Sequence, residues 1–406
     1  MKFTMQPART APHIATLISL AGISVLTMNI FLPSLPTMTA HFGADYAVMQ
    51  LSVALYLAVS AALQIVIGPL SDRYGRRPVL LWGLSLFCLA TVGTLVAPTT
   101  EWFLAARMAQ AVMAVGLVLS RAVVRDMVPT DQAASMIGYV TMGMSIVPMI
   151  GPGIGGVLDQ AFGWQANFWL LLGLGVAMLY AVYVDLGETL PADRFGAGQS
   201  FRAQIRDYPH LLLSQRFWGY CLASAFASGA FFAYLGGAPF VGTTLFDLDP
   251  AMLGFLFGAP ALGYFAGNWI TGKYAARVGV NMMVLVGAIL ITLGMTLLFL
   301  TFLAGIQTEL VFFGFMTTVG LGNGMVIPNA TAGMLSVRPQ LAGTASGLGS
   351  AIMIGGGAAL SAMAGIMLNE ETGAWPLLWI MILTSFAALA CILYTIHRER
   401  QLTRQA

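Results

Sequence analysis

Twelve stretches of about twenty mostly apolar residues occupy almost the whole chain. A helix that crosses the hydrocarbon core of a bilayer needs roughly 20 such residues. Because lipid offers no partner for a backbone N–H or C=O group, each stretch is predicted to be a helix. The predicted spans are residues 14–35, 49–70, 79–97, 101–124, 136–158, 164–185, 217–240, 252–275, 282–303, 309–336, 342–368 and 375–396.

Charged residues are too rare for a chain of this length to cover itself with a water-facing surface. They make up 8% of the 406 residues, and hydrophobic residues make up 58%. An ordinary soluble domain carries about 25% charged residues. The composition therefore excludes a soluble enzyme, a nucleic-acid-binding protein and a disordered chain. It predicts an all-α membrane protein of twelve transmembrane helices, surrounded by the lipid bilayer.

The sequence predicts no cofactor, no metal and no ATP site. The three cysteines lie singly in apolar stretches, and the four histidines are scattered near the ends of predicted spans. Neither set has the spacing of a metal site or a disulfide framework. The sequence also contains no Gly-x-x-x-x-Gly-Lys-Ser/Thr phosphate loop. A membrane-embedded enzyme is disfavoured, because no cluster of nucleophilic or acid–base groups lies inside a span.

Lysine and arginine lie almost entirely on one side of the predicted membrane. With the N-terminus placed inside, 17 of the 18 fall in inner loops and ends. The outer loops contain none of them, but carry acids such as Asp45, Asp159 and Glu370. Since positively charged residues mark cytoplasmic loops, we expect both termini to be cytoplasmic.

The longest polar segment separates two sets of six spans. It predicts an N-terminal bundle of residues 1–186, a cytoplasmic linker of residues 187–216 and a C-terminal bundle of residues 217–406. Phe201 and Ile205 lie at helical spacing within the linker. An amphipathic interfacial helix and a plain linker are both compatible with that spacing.

The two halves share short motifs at a constant offset of 204 positions, the separation of Gly68 and Gly272. Parallel repeats of six spans are one of the recognised plans of transporters. Chance matching in glycine-rich apolar sequence is the alternative. The matching residues are Gly68, Arg73 and Gly75 with Gly272, Arg277 and Gly279, and residues 149–151 with residues 353–355.

The loop after the second span holds one acid among three arginines, in the order Gly68-Pro-Leu-Ser-Asp-Arg-Tyr-Gly-Arg-Arg. An aspartate there can pair with an arginine and face the positive N-terminus of another helix. We predict a cytoplasmic latch in which Asp72 contacts Arg121 or Arg125 and the start of the eleventh span. A plain basic inner loop is the alternative. The predicted latch residues are Gly68, Asp72, Arg73, Gly75, Arg76, Arg121 and Arg125.

Arg107 is the one charge that the prediction places well inside a span. A charge at the bilayer centre costs about 2.5–3.5 kcal/mol on insertion scales, so it usually faces a cavity or a partner. Helical spacing places Gln110 and Arg121 on the same stripe, which we expect to face a central cavity. A snorkelling arginine held by outer headgroups is the alternative. Further polar candidates, for which a helix–helix hydrogen bond is the commoner role, are Tyr56, Tyr234, Asn268, Asn323 and Asn329.

Small residues recur every four positions in the fifth and eleventh spans. Such spacing lets helix backbones approach closely. We predict a bending or sliding seam in span five, with static tight packing as the alternative. Leucine at Gly151 or Gly155 should abolish transport, and alanine should be milder. The seam residues are Pro148, Gly151, Pro152, Gly155 and Gly156.

The Asp72 loop resembles the Gly-x-x-x-Asp-Arg-x-Gly-Arg-Arg signature of the major facilitator superfamily. The ends of span one (residues 29–36) and span four (residues 107–110 and 121–126), with span five (residues 148–156), resemble its drug–proton antiporter branch. Within that branch they are similar to the bicyclomycin-resistance and chloramphenicol-efflux subgroup. The resemblance implies two six-helix bundles, related by a pseudo-twofold axis around a central cavity, that work by alternating access.

The same resemblance implies a function and a location. The expected protein is a monomeric multidrug transporter of the bacterial inner membrane. It would export small amphiphilic molecules in exchange for protons.

Asn29 departs from the subgroup, which usually carries an aspartate at this position. An asparagine cannot bind and release a proton, so the resemblance supplies no proton site here. Two hypotheses stay open. In one, an acid at the rim takes over and Arg107 shifts to compensate charge. In the other, the protein is uncoupled or is coupled differently. The alternative function is an exporter or facilitator of a small metabolite, such as a sugar, siderophore or amino acid, without proton coupling.

Overall fold

The computed structural model describes residues 12–127, 147, 150–190, 212–338 and 342–405. Its helices, numbered in chain order, are α1 (Ile14–Asn29), α2 (Leu35–Phe42), α3 (Tyr46–Tyr74), α4 (Arg76–Leu95), α5 (Thr100–Gln110), α6 (Ala114–Met127), α7 (150–162), α8 (Gln165–Asp185), α9 (Gln215–Phe240), α10 (Pro250–Phe257), α11 (Ala259–Val278), α12 (Val280–Leu303), α13 (Glu309–Val337), α14 (Ala342–Met367) and α15 (Trp375–Gln405).

Eleven helical segments among the described residues are long and apolar enough to cross a membrane. They correspond to every predicted span except the fifth, of which only residue 147 and α7 are described. The prediction of an all-α fold built on twelve spans is confirmed. The linker residues 191–211, which include Phe201 and Ile205, lie outside the described residues.

The first span is longer than predicted and is broken near its outer end. Instead of ending at residue 35, it passes through a 3₁₀ turn, Leu32–Ser34, into α2. Pro33 and Pro36 lie in the first positions of these two elements, where a missing N–H costs little. The span ends at Gly43, whose φ of 59° is left-handed.

Equivalent glycines join the second span to the third and the eighth to the ninth. Gly75 has φ 96° and ψ 155°, and Gly279 has φ 87° and ψ 154°. A residue with a Cβ atom rarely adopts this conformation, so both one-residue turns require glycine. The two positions are separated by 204 residues, as the sequence repeat predicts.

The two sets of helices meet at their predicted outer ends. Within the C-terminal half, α11 packs on α13, and α9 packs on α14 and α15. Between the halves, α3 packs along α14, and α10 lies against the 3₁₀ turn that follows α1. The exact bundle bounds, residues 1–186 and 217–406, stay a prediction.

Candidate functional site

A cavity of about 240 Å³ lies between the two halves. Its wall is mainly aromatic and aliphatic, with helices from both halves contributing side chains. The lining residues are Val25, Asn29, Arg121, Pro152, Ser228, Phe231, Phe232, Leu235, Phe257, Pro260, Ala261, Tyr264, Gly320, Asn323, Ile327 and Met353. The arrangement can hold a small molecule with a large apolar body and few polar groups.

Four of the predicted site residues lie in this wall: Asn29, Arg121, Pro152 and Asn323. The Asn29 Nδ2 donates to the Val25 carbonyl at 2.9 Å, one turn earlier in the same helix. Asn323 is 4% exposed. Both asparagines are polar but uncharged, so neither can titrate.

The cavity's aromatic residues were missed by the sequence reasoning. Phe231, Phe232, Phe257 and Tyr264 come from three helices of the C-terminal half. The sequence contains 24 phenylalanines, and helical spacing alone does not tell a cavity-facing ring from a lipid-facing one.

The predicted stripe from Arg107 to Arg121 does not face the cavity as one surface, so that prediction is wrong. Arg107 is 1% exposed and Gln110 is fully buried inside the N-terminal half, whereas Arg121 is exposed and lines the cavity. A 3₁₀ turn, Ala111–Met113, interrupts the helix between them. This break changes the helical phase, because three residues per turn replace 3.6.

Arg107 is held between two aromatic rings. Its guanidinium carbon lies 4.3 Å from the centroid of the Phe31 ring and 4.1 Å from that of the Tyr56 ring. Cation–π contacts of this kind are strongest where water is excluded.

Hydrogen bonds complete the surroundings of Arg107. One terminal nitrogen donates to the Thr27 carbonyl at 2.8 Å, and the other to the Gln110 Oε1 at 2.9 Å. Gln110 in turn donates to the Thr91 hydroxyl at 2.8 Å. No carboxylate in the described part of the chain forms an ion pair with Arg107. Arg107 and Gln110 therefore tie α5 to α1, α3 and α4 through aromatic rings and neutral oxygens.

Three further candidates form contacts between or within helices outside the cavity wall. The Tyr234 hydroxyl donates to the Phe257 carbonyl at 3.2 Å. Asn268 donates to the Tyr264 carbonyl at 2.8 Å, within its own helix. Asn329 donates to the Thr271 hydroxyl of α11 at 3.3 Å and to the Met325 carbonyl at 2.8 Å. The contacts of Tyr234 and Asn329 match the helix–helix alternative, whereas Asn268 bonds only within its own helix.

The predicted outer side of the cavity is closed by polar contacts between the halves. Gln50 of α3 is fully buried and donates to the Ser361 hydroxyl of α14 at 2.7 Å. Tyr46 donates to the Gly236 carbonyl of α9 at 2.8 Å. Because both contacts bridge the halves at one end, the cavity has no wide opening on that side.

A reciprocal pair of glycine contacts closes the same side between α7 and α10. A Cβ atom added at Gly156 would lie 2.0 Å from the Pro250 carbonyl oxygen. A Cβ atom added at Gly254 would lie 2.2 Å from the Pro152 carbonyl oxygen. Both distances are far below van der Waals contact, so this crossing needs glycine on each helix.

Within the N-terminal half the seam differs from the prediction at one position. A Cβ atom at Gly155 would lie 1.7 Å from the Ile30 carbonyl oxygen, so alanine is also expected to disrupt the packing there. At Gly151 it would lie 3.0 Å from the end of the Leu26 side chain, which can move. Pro148 lies outside the described residues.

Residues of the predicted latch form a charge cluster, but with partners other than those predicted. Asp72 pairs with Arg76 at 2.7 Å, and Arg76 pairs with Asp126 of α6 at 2.8 Å. Glu188 accepts from the Arg76 backbone N–H at 2.9 Å, at the start of α4. The expected contact of Asp72 with Arg121 is not formed, because Arg76 is only one helical turn away and is nearly buried.

Gly68, Gly75 and Arg73 also belong to the predicted latch. No described atom lies within 4 Å of a Cβ atom at Gly68, so close backbone approach does not explain that glycine here. Gly75 is required by its positive φ. Arg73 is exposed and stacks on Tyr74, with 5.3 Å between its guanidinium carbon and the ring centroid. The side chains of Arg125 and of the first residues of α14 lie outside the described residues.

Asp72→Asn is expected to lower export while membrane expression stays normal. The change removes a partly exposed ion pair worth about 1 kcal/mol, roughly a fivefold shift between two conformations. Export measured in cells, with expression quantified on the same cells, tests this. Glu370→Gln, in an exposed loop on the predicted outer side, is the matched control. Normal export by Asp72→Asn would contradict the latch.

A buried carboxylate at the predicted outer end of α7 was not singled out from sequence. Asp159 follows the predicted fifth span and is 5% exposed. One oxygen accepts from the Thr37 hydroxyl at 2.9 Å, and the other has no hydrogen-bond partner.

Residues 17–362 match the sequence profile of the Major Facilitator Superfamily. The chain is 29% identical to the chloramphenicol resistance protein of Pseudomonas aeruginosa over 91% of this chain and 88% of that protein. It is 26% identical to multidrug resistance protein D of Escherichia coli (strain K12) over 95% and 96%. These relatives match the subgroup that the sequence motifs resemble.

The fold is similar to that of a solved transporter. The match is a bacterial homologue of the human lysosomal transporter Spinster, whose structure is described as inward-facing and occupied. The TM-score is 0.70, covering 95% of this chain and 96% of that one at 12% identity. At this identity the likeness concerns the fold alone.

Proposed function

Since the chain belongs to the major facilitator superfamily, we propose that it is a secondary active exporter of small amphiphilic drugs, driven by proton antiport. It acts by alternating access as a monomer in the bacterial inner membrane, with both termini in the cytoplasm. The observation that carries the proposal is the aromatic cavity between the halves, closed at the predicted outer side. Relatives named for resistance to chloramphenicol and to multiple drugs support the substrate class.

The cavity suits amphiphilic molecules because few of its groups dictate a single ligand. Phe231, Phe232 and Phe257 offer ring faces, and Met353 is flexible. Such surfaces repack around different apolar bodies. Ser228 and the two asparagines supply hydrogen-bonding groups without fixing one shape.

Alternating access requires the outer contacts to break while the halves stay folded. The Gln50–Ser361 hydrogen bond and the Gly156–Pro250 crossing both join the two halves. In the outward-facing state these contacts open, and the cytoplasmic ends approach one another. Asp72 and its cluster lie at those ends, which is where the proposal places the latch.

Proton coupling needs a carboxyl group that gains and loses a proton during the cycle. Asp159 is the best candidate, since it is buried, partly unpartnered and close to the outer crossing formed by Gly156. Arg107 can compensate charge within the same half. This arrangement supports the first of the two hypotheses left open by Asn29.

The alternative, a metabolite exporter or facilitator without coupling, is favoured by one observation. Among the described residues that line the cavity, none is a carboxylate. Under this alternative, substrate would equilibrate whatever the pH gradient, and Asp159→Asn would transport normally.

The proposed orientation is tested by labelling single cysteines with an impermeant thiol reagent in whole cells. Cysteine at the exposed positions Asp45 or Glu370 should react, and cysteine at Arg73 or Lys273 should react only after permeabilisation. Cys88, Cys221 and Cys391 would first be replaced. The reverse pattern would contradict the orientation.

The substrate class is tested by drug susceptibility in a strain that lacks its own efflux pumps. Expression should raise the inhibitory concentration of chloramphenicol and of several unrelated amphiphilic drugs. A Gly156→Leu variant, matched for membrane expression, serves as the inactive control. Equal susceptibility of both strains to the whole panel would contradict drug export.

A further inference from the structure

We propose that the cavity selects amphiphiles that carry a negative charge and rejects those that carry a positive one. The selecting residue is Arg121. This inference rests on the proposed function, because it names the substrate class of the same cavity. It follows from the distribution of charge around the cavity.

Arg121 is the one charged residue among the described residues of the wall. At the position where the resembling subgroup usually has an acid, the wall has Asn29. The remaining polar lining residues, Ser228, Tyr264 and Asn323, are neutral side chains. A ligand inside the cavity is therefore exposed to one formal positive charge.

The charge of Arg121 is available to a ligand. The described ion pairs join Arg76 to Asp72 and Asp126, and Arg216 to Glu399, and none of them involves Arg121. Asp126 lies five residues further along the same helix, but it is engaged by Arg76. The Arg121 side chain is also exposed, which leaves room for an approaching group.

The shape of the site suits an amphiphile with a planar anion. A guanidinium offers parallel N–H donors that match a carboxylate in bidentate geometry. Phe231, Phe232 and Phe257 lie in the same wall and can contact an aromatic body. In a largely apolar wall the attraction between the charges is stronger than in water, and the repulsion of a cation grows equally.

Three probes with one naphthalene body separate charge from hydrophobicity. They are 1-naphthylacetate, neutral 1-naphthylacetamide and (1-naphthylmethyl)trimethylammonium. Binding to the purified full-length protein in detergent would be measured by calorimetry. We expect the carboxylate to bind about tenfold more tightly than the amide. We expect the ammonium to bind at least about tenfold more weakly than the amide.

Variants assign the preference to Arg121. Arg121→Gln should reduce the carboxylate-to-amide affinity ratio to near one, and Arg121→Lys should keep most of it. Lys273→Gln removes an exposed cation outside the cavity wall and should leave the ratio unchanged. If Arg121→Gln fails to fold, Asn29→Asp gives an independent result, since an added acid should weaken carboxylate binding and strengthen ammonium binding.

The outcomes distinguish the inference from the proposed function. A wild-type protein that binds amide and ammonium as tightly as carboxylate, or a ratio that survives in Arg121→Gln, overturns charge selection and leaves drug export standing. If no probe binds the purified protein, and neither the probes nor chloramphenicol is transported into proteoliposomes, both the inference and the proposed function fail.

Discussion

Gly156→Ala is expected to keep the outer side of the transporter open and to reduce export to the level of cells without the protein. The new methyl carbon would lie 2.0 Å from the Pro250 carbonyl oxygen. A backbone carbonyl cannot move aside as the end of a flexible side chain can. The added methyl group must therefore push α7 and α10 apart. Because this crossing joins the two halves, each half should still fold.

Distances between spin labels at Asp45 and Asp247 would measure that separation. Both residues are exposed and lie on opposite halves at the predicted outer side. We expect a longer distance in Gly156→Ala than in wild type, and the same change in Gly254→Ala. Gly151→Ala is the matched control, since it meets only the end of the Leu26 side chain. An unchanged distance with normal export would contradict the role of this crossing.

Arg107→Ala is expected to abolish export and to destabilise the N-terminal half. The change leaves an empty space between the Phe31 and Tyr56 rings and removes both donors to Thr27 and Gln110. Large-to-small substitutions at buried sites cost about 2–5 kcal/mol, and unpaired buried polar groups add to that cost.

Thermal unfolding and export would be measured together for Arg107→Ala and Arg107→Lys. Lysine keeps the charge but has a single nitrogen, so it cannot reach the Thr27 carbonyl and Gln110 in the same geometry. We expect the Arg107→Lys variant to regain part of the lost stability but little of the lost export. An alanine variant with normal unfolding temperature and normal export would show that this buried charge is dispensable.

The fold could be predicted from sequence because a bilayer permits few alternatives. Apolar length fixed the helices, and the 204-residue offset correctly matched Gly75 with Gly279, which share one unusual backbone conformation. The bounds were less predictable. The first span was predicted to end at residue 35, but Pro33 and Pro36 lie at positions where proline is tolerated, so the span continues to Phe42.

The site was predicted only in part, because helical spacing assumes an unbroken helix. Arg107 and Arg121 were expected on one stripe of a single helix. Because a 3₁₀ turn lies between them, Arg107 is buried within the N-terminal half and Arg121 lines the cavity. Asp159 was assigned to an outer loop from its position after an apolar stretch. In the structure it is buried and accepts a hydrogen bond from Thr37, 122 residues away, and no local pattern reports such a contact.

Accumulation of chloramphenicol in proteoliposomes under an imposed pH gradient tests the central claim most directly. An exporter that exchanges drug for protons should concentrate the drug inside liposomes with an acidic lumen. The accumulation should disappear when nigericin collapses the gradient, and it should be absent in Gly156→Leu. Drug that only equilibrates across the membrane, at the same rate with and without the gradient, would contradict proton antiport.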